Sequence, residues 1–369
     1  MTVPTTTTTG VPMTQPSRTT QRAAAAVAVM GSLALLSGCV QSGRTADVGG
    51  ATSASCPFAP DSSVTSSVTI AYQNIPNGDL VVKDQQLLEK CMPQAKVSWK
   101  KFDSGGDVIQ AFGSGSVDLG LIGSSPATKG LSAPLNIPMK VIWVHDVIGK
   151  AESLVAKDAA IKSIKDLKGK KVAVAFSSTS HYSLLQALLD AGMDASKDVT
   201  LINLAPDKMP SAWQGGQIDA AWVWDPTLSV LLKDGHIVMS AEDTAKAGKP
   251  TYDLAAGTTK FIDANPAFMN VWAKSQDAAV KQIASDPDKA SVSMAAVLGI
   301  PPAEVKKQFE GYTYLDATKQ ASADYLGGKL AKDLQATAAF LLGQGGITAV
   351  GTPDAYAAGV DAKPAASVK

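Results

Sequence analysis

The chain has 369 residues, of which 45% are hydrophobic and 18% are charged, and its formal net charge is zero. A chain of this length can bury the core of one large domain or of two medium ones. Because a net charge of zero creates no long-range field, we expect no nucleic-acid partner, and any preference for anions has to arise locally.

The N-terminus predicts an exported protein with a lipid anchor. Arg18 and Arg22 precede an apolar segment that is too short to span a bilayer, and this segment ends in Leu-Ser-Gly-Cys. The tetrad resembles the lipobox of bacterial lipoproteins. We therefore predict a signal peptide over residues 1–38, lipidation at Cys39 and a flexible, lipid-anchored tether over residues 39–65. The alternative is an ordinary signal peptide with a chance cysteine.

Two further cysteines, Cys56 and Cys91, follow this region. An even pair in an oxidising compartment most simply forms a disulfide, and two buried free thiols are the alternative. Neither cysteine has the Cys/His spacing of a metal site, so we expect no metal and no cofactor.

Strands and helices alternate along the first part of the chain. Strands are predicted at 68–72, 97–102, 117–122 and 141–144, with a helix from Asp79 to Cys91 after the first. This spacing is typical of an α/β domain with a mainly parallel sheet that is covered on both faces.

The same pattern restarts near Ile164, with strands at 172–175, 199–204 and 220–223. Two similar α/β halves suggest two lobes that face one cleft, although generic α/β units can also resemble each other by chance. After a returning strand at 252–257 the chain becomes helical. The predicted divisions are lobe 1 at 66–153, lobe 2 at 154–252, a return to lobe 1 at 253–350 with C-terminal helices, and a loose tail at 351–369.

Turns rich in Ser, Thr and Gly follow three of the predicted strands. A strand that turns into a helix presents free backbone N–H groups and the positive end of the helix dipole, which suits an anion. Each turn alone is more simply explained as a helix cap. The three turns are Ser104-Gly105-Gly106, Gly123-Ser124-Ser125 and Ser178-Thr179-Ser180.

Aromatic and acidic residues form a second candidate set. Trp222 and Trp224 share one face of a strand that Asp225 ends, and Glu152 and Asp253 lie near the two points where the chain crosses between lobes. A carboxylate opposite an aromatic wall suits a primary ammonium group. The alternative is that the tryptophans are core residues and the acids are solvated caps.

No motif of an enzyme occurs in the sequence. It contains neither a G-x-S-x-G elbow nor a P-loop, and His145, His181 and His236 are far apart in sequence. We therefore predict a protein without catalytic residues.

Several segments resemble one family over about 68–342. They are KFDSGGDVIQAF, LGLIGSSP, AESLV, SIKDLKGKKVAV, FSSTSHYSLLQALL, AWQGGQIDAAWVWDP and GYTYL. The family is that of the substrate-binding proteins of bacterial ABC importers for taurine and alkanesulfonates, and GSSP and STSHYSLL resemble its taurine branch. The resemblance implies a type II periplasmic-binding fold, in which two hinged lobes close on the ligand and then dock on the membrane permease.

The resemblance also implies roles for individual residues. Glu152 and Asp253 become partners of the ligand amine, Gln73 lies on the cleft wall, and Asp225 borders the ligand. The implied sulfonate pocket consists of Ser104, Gly105, Gly123, Ser124, Ser125, Ser178, Thr179 and His181, and the implied packing around the two-carbon linker consists of Trp222, Trp224 and Tyr182. The sequence departs from the family pattern in a longer loop at 74–78, in Asp225 and in the Cys56/Cys91 pair.

Together these inferences predict a monomeric binding protein anchored through Cys39 on the extracytoplasmic face of the cell membrane. It captures taurine by lobe closure and delivers it to an ABC permease and its ATPase. The alternatives are a binding protein for other alkanesulfonates, for a nitrate-like anion or for a pyrimidine precursor, a ligand-sensing accessory domain, and an exported enzyme on the same fold.

Overall fold

The computed structural model describes residues 55–368. The predicted signal peptide, Cys39 and the first part of the predicted tether lie outside the described residues. Within residues 55–368, no helix combines the length and the apolar character needed to cross a membrane.

Strands and helices alternate as far as residue 258, after which the chain is almost entirely helical. The strands are β1 (Ser67–Tyr72), β2 (Lys96–Lys101), β3 (Leu119–Gly123), β4 (Met139–Ile148), β5 (Glu152–Ala156), β6 (Lys171–Val174), β7 (Thr200–Asn203), β8 (Ala220–Trp224), β9 (His236–Ser240), β10 (Tyr252–Thr258) and β11 (Tyr312–Thr313). The helices are α1 (Gly78–Asp84), α2 (Leu87–Cys91), α3 (Gly105–Gly113), α4 (Ser124–Leu131), α5 (Thr179–Asp190), α6 (Met209–Gln214), α7 (Thr227–Leu231), α8 (Ala241–Lys246), α9 (Thr259–Ala264), α10 (Pro266–Ser285), α11 (Pro287–Leu298), α12 (Pro302–Gln308), α13 (Ala317–Ala321), α14 (Lys329–Gly343), α15 (Pro353–Ala358) and α16 (Lys363–Ala366).

The strands form two sheets, one in each lobe. The first has the order β11-β4-β10-β3-β1-β2, and the second has the order β7-β6-β8-β5-β9. In the first, β1 is parallel to β2 and β3, whereas β10 is antiparallel to β3 and β4. In the second, β6 is parallel to β7 and β8, whereas β5 is antiparallel to β8 and β9. Both sheets are therefore mixed rather than mainly parallel, because β5 and β10, which arrive from the other lobe, run against their neighbours.

The chain crosses between the lobes twice. It leaves the first sheet after Ile148 and enters the second at Glu152, and it returns to the first sheet at Tyr252. The first crossover falls slightly before the predicted boundary, so Glu152 belongs to the second lobe rather than to the first. Near this crossover the backbone N–H of Gly149 donates to the carbonyl of Gly311.

The core of the second lobe shows the two-residue period of its strands. Strand β8 is buried along its whole length because helices cover both faces of the sheet. On one face Trp222 packs in a cluster with Leu154, Val174 and Leu184, and on the other Val223 packs with residues that include Trp213. Trp222 is thus a core residue of this lobe.

Residues 351–368, expected to be a loose tail, pack against the first lobe. Tyr356 of α15 and Ala365 of α16 are each only 1% exposed. Val360 forms an isolated β-bridge with Val141 of β4. Buried side chains thus hold this Ala-rich segment on the first sheet. Its composition alone predicts a loose tail instead.

The segment between Asp79 and Cys91, predicted as one helix, is two helices. Gln86 interrupts it with a left-handed backbone (φ 53°) and begins α2. Cys91, the last residue of α2, forms a disulfide with Cys56, as the cysteine pair predicted. The disulfide fastens the beginning of the described chain to the first lobe.

Candidate functional site

A cavity lies between the lobes, where the two sheets present the ends of several strands. It is narrow, with a volume of about 10 Å³ for the centre of a water-sized sphere, which is room for about one water molecule. The first lobe contributes Gln73, Ile75, Gly105, Gly123, Pro126, Ile148, Asp253 and Tyr312, and the second lobe contributes Glu152, Ser178, Thr179 and Trp224.

Three helix N-termini meet at this cavity. Helices α3, α4 and α5 begin at Gly105, Ser124 and Thr179, and residues of all three N-terminal turns line the space. The first backbone N–H groups of a helix have no partner within the helix, and the helix dipole adds positive charge there. These helix starts are therefore suited to an anionic group.

The hydroxyl groups of these turns are mostly engaged within the protein. Ser104 Oγ donates to Asp107 Oδ2 at 2.8 Å, and Ser178 Oγ donates to the Ala175 carbonyl at 2.6 Å, while each also accepts from a backbone N–H of its helix. Ser124 Oγ accepts from the N–H of Tyr252 at 3.2 Å. These serines cap helices or tie strands together, so backbone N–H groups supply most of the donors for an anion.

Two acidic residues, Glu152 and Asp253, also line the cavity. Glu152 is 1% exposed, and its Oε2 accepts from Thr179 Oγ1 at 2.5 Å, whereas its Oε1 has no hydrogen-bond partner among the described residues. Burial raises the pKa of Glu152 to about 8. Asp253 of β10 lies close enough to Glu152 for the two charges to interact. Burial likewise raises the pKa of the Asp253 carboxyl.

A third carboxyl group, which the sequence did not single out, lies behind Asp253. Asp146 of β4 is fully buried and pairs with Asp253 in the antiparallel ladder. Burial and the neighbouring Asp253 raise the pKa of Asp146 far above its ordinary value. The one sequence signal for this residue is an acid within the largely apolar strand Met139–Ile148, and it was not used in the prediction of the site.

Aromatic side chains complete the wall. Trp224 lines the cavity, as does Tyr312, whose hydroxyl is buried and has no partner among the described residues. Tyr312 lies in the GYTYL segment but was not among the predicted site residues. The apolar residues Ile75, Pro126 and Ile148, also not predicted, line the cavity as well.

Four of the predicted site residues lie away from the cavity. Trp222 is in the core of the second lobe, and the ring of Tyr182 packs edge-on against Phe340 at 5.2 Å. Asp225 turns toward α7, where its Oδ1 accepts from both the N–H and the hydroxyl of Ser229. His181 is the fourth.

The imidazole ring of His181 is neutral near pH 7, and it does not line the cavity. Its Nδ1 accepts from the backbone N–H of Ser177 at 3.3 Å, and its ring stacks on Phe176 at 4.5 Å. Burial, followed by the nearby charge of Lys129, lowers the pKa of His181 to about 4. Lys129 of the first lobe donates to Ser177 Oγ of the second at 3.1 Å and so connects the lobes beside the cavity.

The structure thus brings together eight of the predicted site residues. Ser104, Ser124 and Ser125 lie at the same helix starts as the lining residues. Among residues 55–368, no group of three or more His, Cys, Asp or Glu side chains is arranged to hold a metal ion. The eight residues that line the cavity are Gln73, Gly105, Gly123, Glu152, Ser178, Thr179, Trp224 and Asp253.

The chain is similar to known proteins along most of its length. Residues 64–299 match the NMT1-like family. The taurine-binding periplasmic protein of Escherichia coli is 36% identical over 77% of this chain and 88% of its own length. A putative aliphatic sulfonates-binding protein of the same organism is 33% identical over 63% of this chain and 72% of its own length.

The fold of the chain also matches a solved structure. The periplasmic aliphatic sulphonate binding protein SsuA of Escherichia coli superposes with a TM-score of 0.64 and 26% identity, over 81% of this chain and 91% of that one. The two-lobed periplasmic-binding fold predicted from the sequence is therefore confirmed. The chain belongs to the NMT1-like family and, within it, to the taurine- and alkanesulfonate-binding proteins of ABC importers.

Proposed function

We propose that this protein captures taurine between its lobes and delivers it to the permease and ATPase of an ABC importer. The observation that carries the proposal is that one small cavity is lined both by helix N-termini and by acidic side chains. Three helix N-termini line the space, and so do Glu152 and Asp253, which lie beside the starts of α5 and α4. A short molecule with an anionic group at one end and an ammonium group at the other complements both.

A sulfonate suits the helix N-termini for a further reason. Its three oxygens accept several N–H bonds at once, and the donors are neutral, so no counter-ion has to be buried with the ligand. Ile75, Ile148 and Trp224 also line the cavity, and their apolar side chains suit a short hydrocarbon linker. Similarity to a taurine-binding periplasmic protein supports the same ligand.

Alkanesulfonates without an amine are the second candidate ligands, because the chain is also similar to proteins named for aliphatic sulfonates. The two acidic residues of the cavity favour taurine over them. A ligand without a cation gives the buried carboxyl groups of Glu152 and Asp253 no positive partner, whereas an ammonium group gives them one.

We further propose that the protein works on the extracytoplasmic face of the cell membrane as a lipid-anchored monomer. Relatives named as periplasmic support the location, and the LSGC tetrad supports an anchor at Cys39. Cys39→Ala should move the protein from the membrane fraction to the soluble fraction. Persistence of the variant in the membrane fraction contradicts the anchor.

The ligand is tested by a thermal-shift and calorimetry panel with taurine, ethanesulfonate, β-alanine and nitrate. Ethanesulfonate lacks only the amine, and β-alanine replaces only the sulfonate by a carboxylate. A ligand at about 100 times its dissociation constant adds roughly 2.7 kcal/mol of stability. We expect taurine to give the largest shift. If taurine gives none, the proposal fails, and stronger binding of ethanesulfonate than of taurine assigns the protein to the second candidate class.

A further inference from the structure

We propose that Asp146 and Asp253 share a proton in the empty site, and that the ammonium group of an arriving ligand releases this proton to solvent. The inference deepens the proposed function and rests on it, since it requires a ligand with an ammonium group. It makes Asp146, which does not line the cavity, a positioning residue that sets the charge presented to the ligand.

Asp146 and Asp253 form a cross-strand pair in the first sheet. Asp146 of β4 and Asp253 of β10 are opposite each other in an antiparallel ladder, so their side chains lie on one face of the sheet. No N–H or O–H group of the described residues donates to either carboxylate oxygen of Asp146. Its carboxyl group is within hydrogen-bonding reach of the Asp253 carboxyl. Without a cation beside them, two carboxyl groups in such contact do not both ionise near neutral pH, so one of them donates a proton to the other.

The groups around the pair are acids. Glu152 of β5 acts on Asp146, and Tyr312 and Tyr314, at and after β11, lie near both aspartates. Within residues 55–368, no Lys or Arg is among the groups that act on the pair. His145 is next to Asp146 in sequence, but on the opposite face of β4, where its Nε2 lies 3.3 Å from the carboxylate of Asp79.

Two buried polar atoms at the cavity lack hydrogen-bond partners among the described residues, which points to a ligand. Glu152 Oε1 and the Tyr312 hydroxyl belong to residues less than a tenth exposed that line the cavity, and neither atom has a partner among the described residues. A primary ammonium group brings three N–H donors and one positive charge. It can satisfy Glu152 Oε1 and, at the same time, stabilise the ionised form of the aspartate pair.

The charge balance of the exchange is simple. The empty pair carries one proton and one negative charge. When the ammonium group enters, that proton leaves to solvent, the pair becomes doubly negative, and no bond of the ligand is made or broken. Acid therefore competes with the ligand, and the affinity for taurine should fall roughly tenfold per pH unit for each proton released. Ethanesulfonate, which has no ammonium group, needs no ionised carboxylate and should show no such loss.

The test is isothermal titration calorimetry of the purified protein at pH 7 in two buffers with different ionisation enthalpies, which counts the protons released. We expect at least about one proton on taurine binding and none on ethanesulfonate binding. Asp146→Asn keeps the size of the side chain and should release about one proton fewer, with a flatter pH profile of affinity between pH 5.5 and 8. Asp277→Asn is the matched control. It changes another buried aspartate, bonded to the N–H of Ala317 in the first lobe, and should leave the proton count unchanged.

The outcomes separate the two levels of the proposal. Taurine binding without proton release overturns this inference and leaves the proposed function standing, whereas no taurine binding at any pH overturns both. An unchanged proton count in Asp146→Asn overturns the role of Asp146. If that variant does not fold, the pH profiles of the wild-type protein still decide, because parallel profiles for taurine and ethanesulfonate contradict the exchange.

Discussion

Thr179 and Glu152 are joined by a hydrogen bond of 2.5 Å from the Thr179 hydroxyl to Glu152 Oε2. The bond connects the first residue of α5 to the first residue of β5, at the point where the chain has just entered the second lobe. It fixes the position of one carboxylate oxygen of a residue that lines the cavity, and the other oxygen, Oε1, has no hydrogen-bond partner among the described residues.

Thr179→Val tests this orientation. The substitution preserves shape and removes the donor, which also favours the neutral form of Glu152. A hydrogen bond to a charged group contributes about 1.5–3 kcal/mol, so taurine affinity should fall roughly ten- to a hundredfold. Calorimetry measures the change. Thr244→Val, a buried threonine of α8 that donates to the Ala241 carbonyl, is the control, and equal losses in both variants contradict a specific role for Thr179.

Asp253→Asn tests the ammonium partner. The variant keeps hydrogen-bonding capacity but removes the negative charge, so taurine should lose roughly tenfold or more in affinity. Ethanesulfonate should lose little, or bind more tightly, because it has no charge to place against Asp253. Dissociation constants for both ligands provide the measurement. Similar losses for the two ligands mean that Asp253 acts through the structure of the site rather than through the ammonium group.

Gly123→Ala tests the contact between the two lobes at Gly123 and Thr179. A Cβ at Gly123 lies 2.7 Å from Thr179 Cγ2 of the opposite lobe, a distance that real Cβ contacts do not show. The added methyl group should hold the lobes apart and weaken taurine binding by about 1–3 kcal/mol, the usual effect of overpacking. Gly113→Ala, where the nearest atom is 3.8 Å away, is the control. Undiminished affinity in Gly123→Ala indicates that the ligand is bound without this contact.

The acidic cavity should make the ligand-free protein more stable at pH 6.5 than at pH 8.5. Burial raises the pKa values of Glu152, to about 8, and of Asp146 and Asp253, so the folded state binds more protons than the unfolded state in this window. Stability therefore falls as pH rises. His145 and His181, whose pKa values are lowered from 6.5, oppose this trend mainly below about pH 7, where their unfolded forms are protonated.

Urea unfolding at the two pH values should show a difference of about 1–3 kcal/mol in the free energy of unfolding. Asp146→Asn should reduce the difference. Equal stability at pH 6.5 and 8.5 contradicts a protonated carboxyl cluster.

Loss of the disulfide should lower stability without changing the site. Cys56 and Cys91 are separated by 35 residues, and closing a loop of that size stabilises the folded state by about 3–4 kcal/mol in the chain-entropy view. Reduction of the protein should lower the free energy of unfolding by this order, measured with urea, and leave taurine affinity unchanged. Reduced and oxidised proteins of equal stability contradict the prediction.

The sequence predicted the two-lobed fold because its strand-to-helix units repeat, and it located the helix starts that line the cavity because Gly and Ser mark them. The sequence did not show which of Trp222 and Trp224 lines the cavity. Alternation places both on one face, but only the position along β8 decides that Trp222 packs under α5 while Trp224 reaches the cavity.

The sequence did not indicate Asp146 for a related reason. Its pairing with Asp253 joins positions more than 100 residues apart, and the register of β4 with β10 is a property of the assembled sheet. The sequence around Tyr182 likewise does not show that its ring packs against Phe340. The sequence around Tyr312 does not show that this residue, in a strand of two residues, lines the cavity.

Glu152 and Asp253 each lie within two residues of a crossover between the lobes. Any movement of one lobe about these connections displaces atoms close to them least. The starts of α5 and α4 share this position with the two acids, because Thr179 is bonded to Glu152 and Gly123 is paired with Asp253. A change in either connection would therefore alter the acidic groups and the helix starts of the site together.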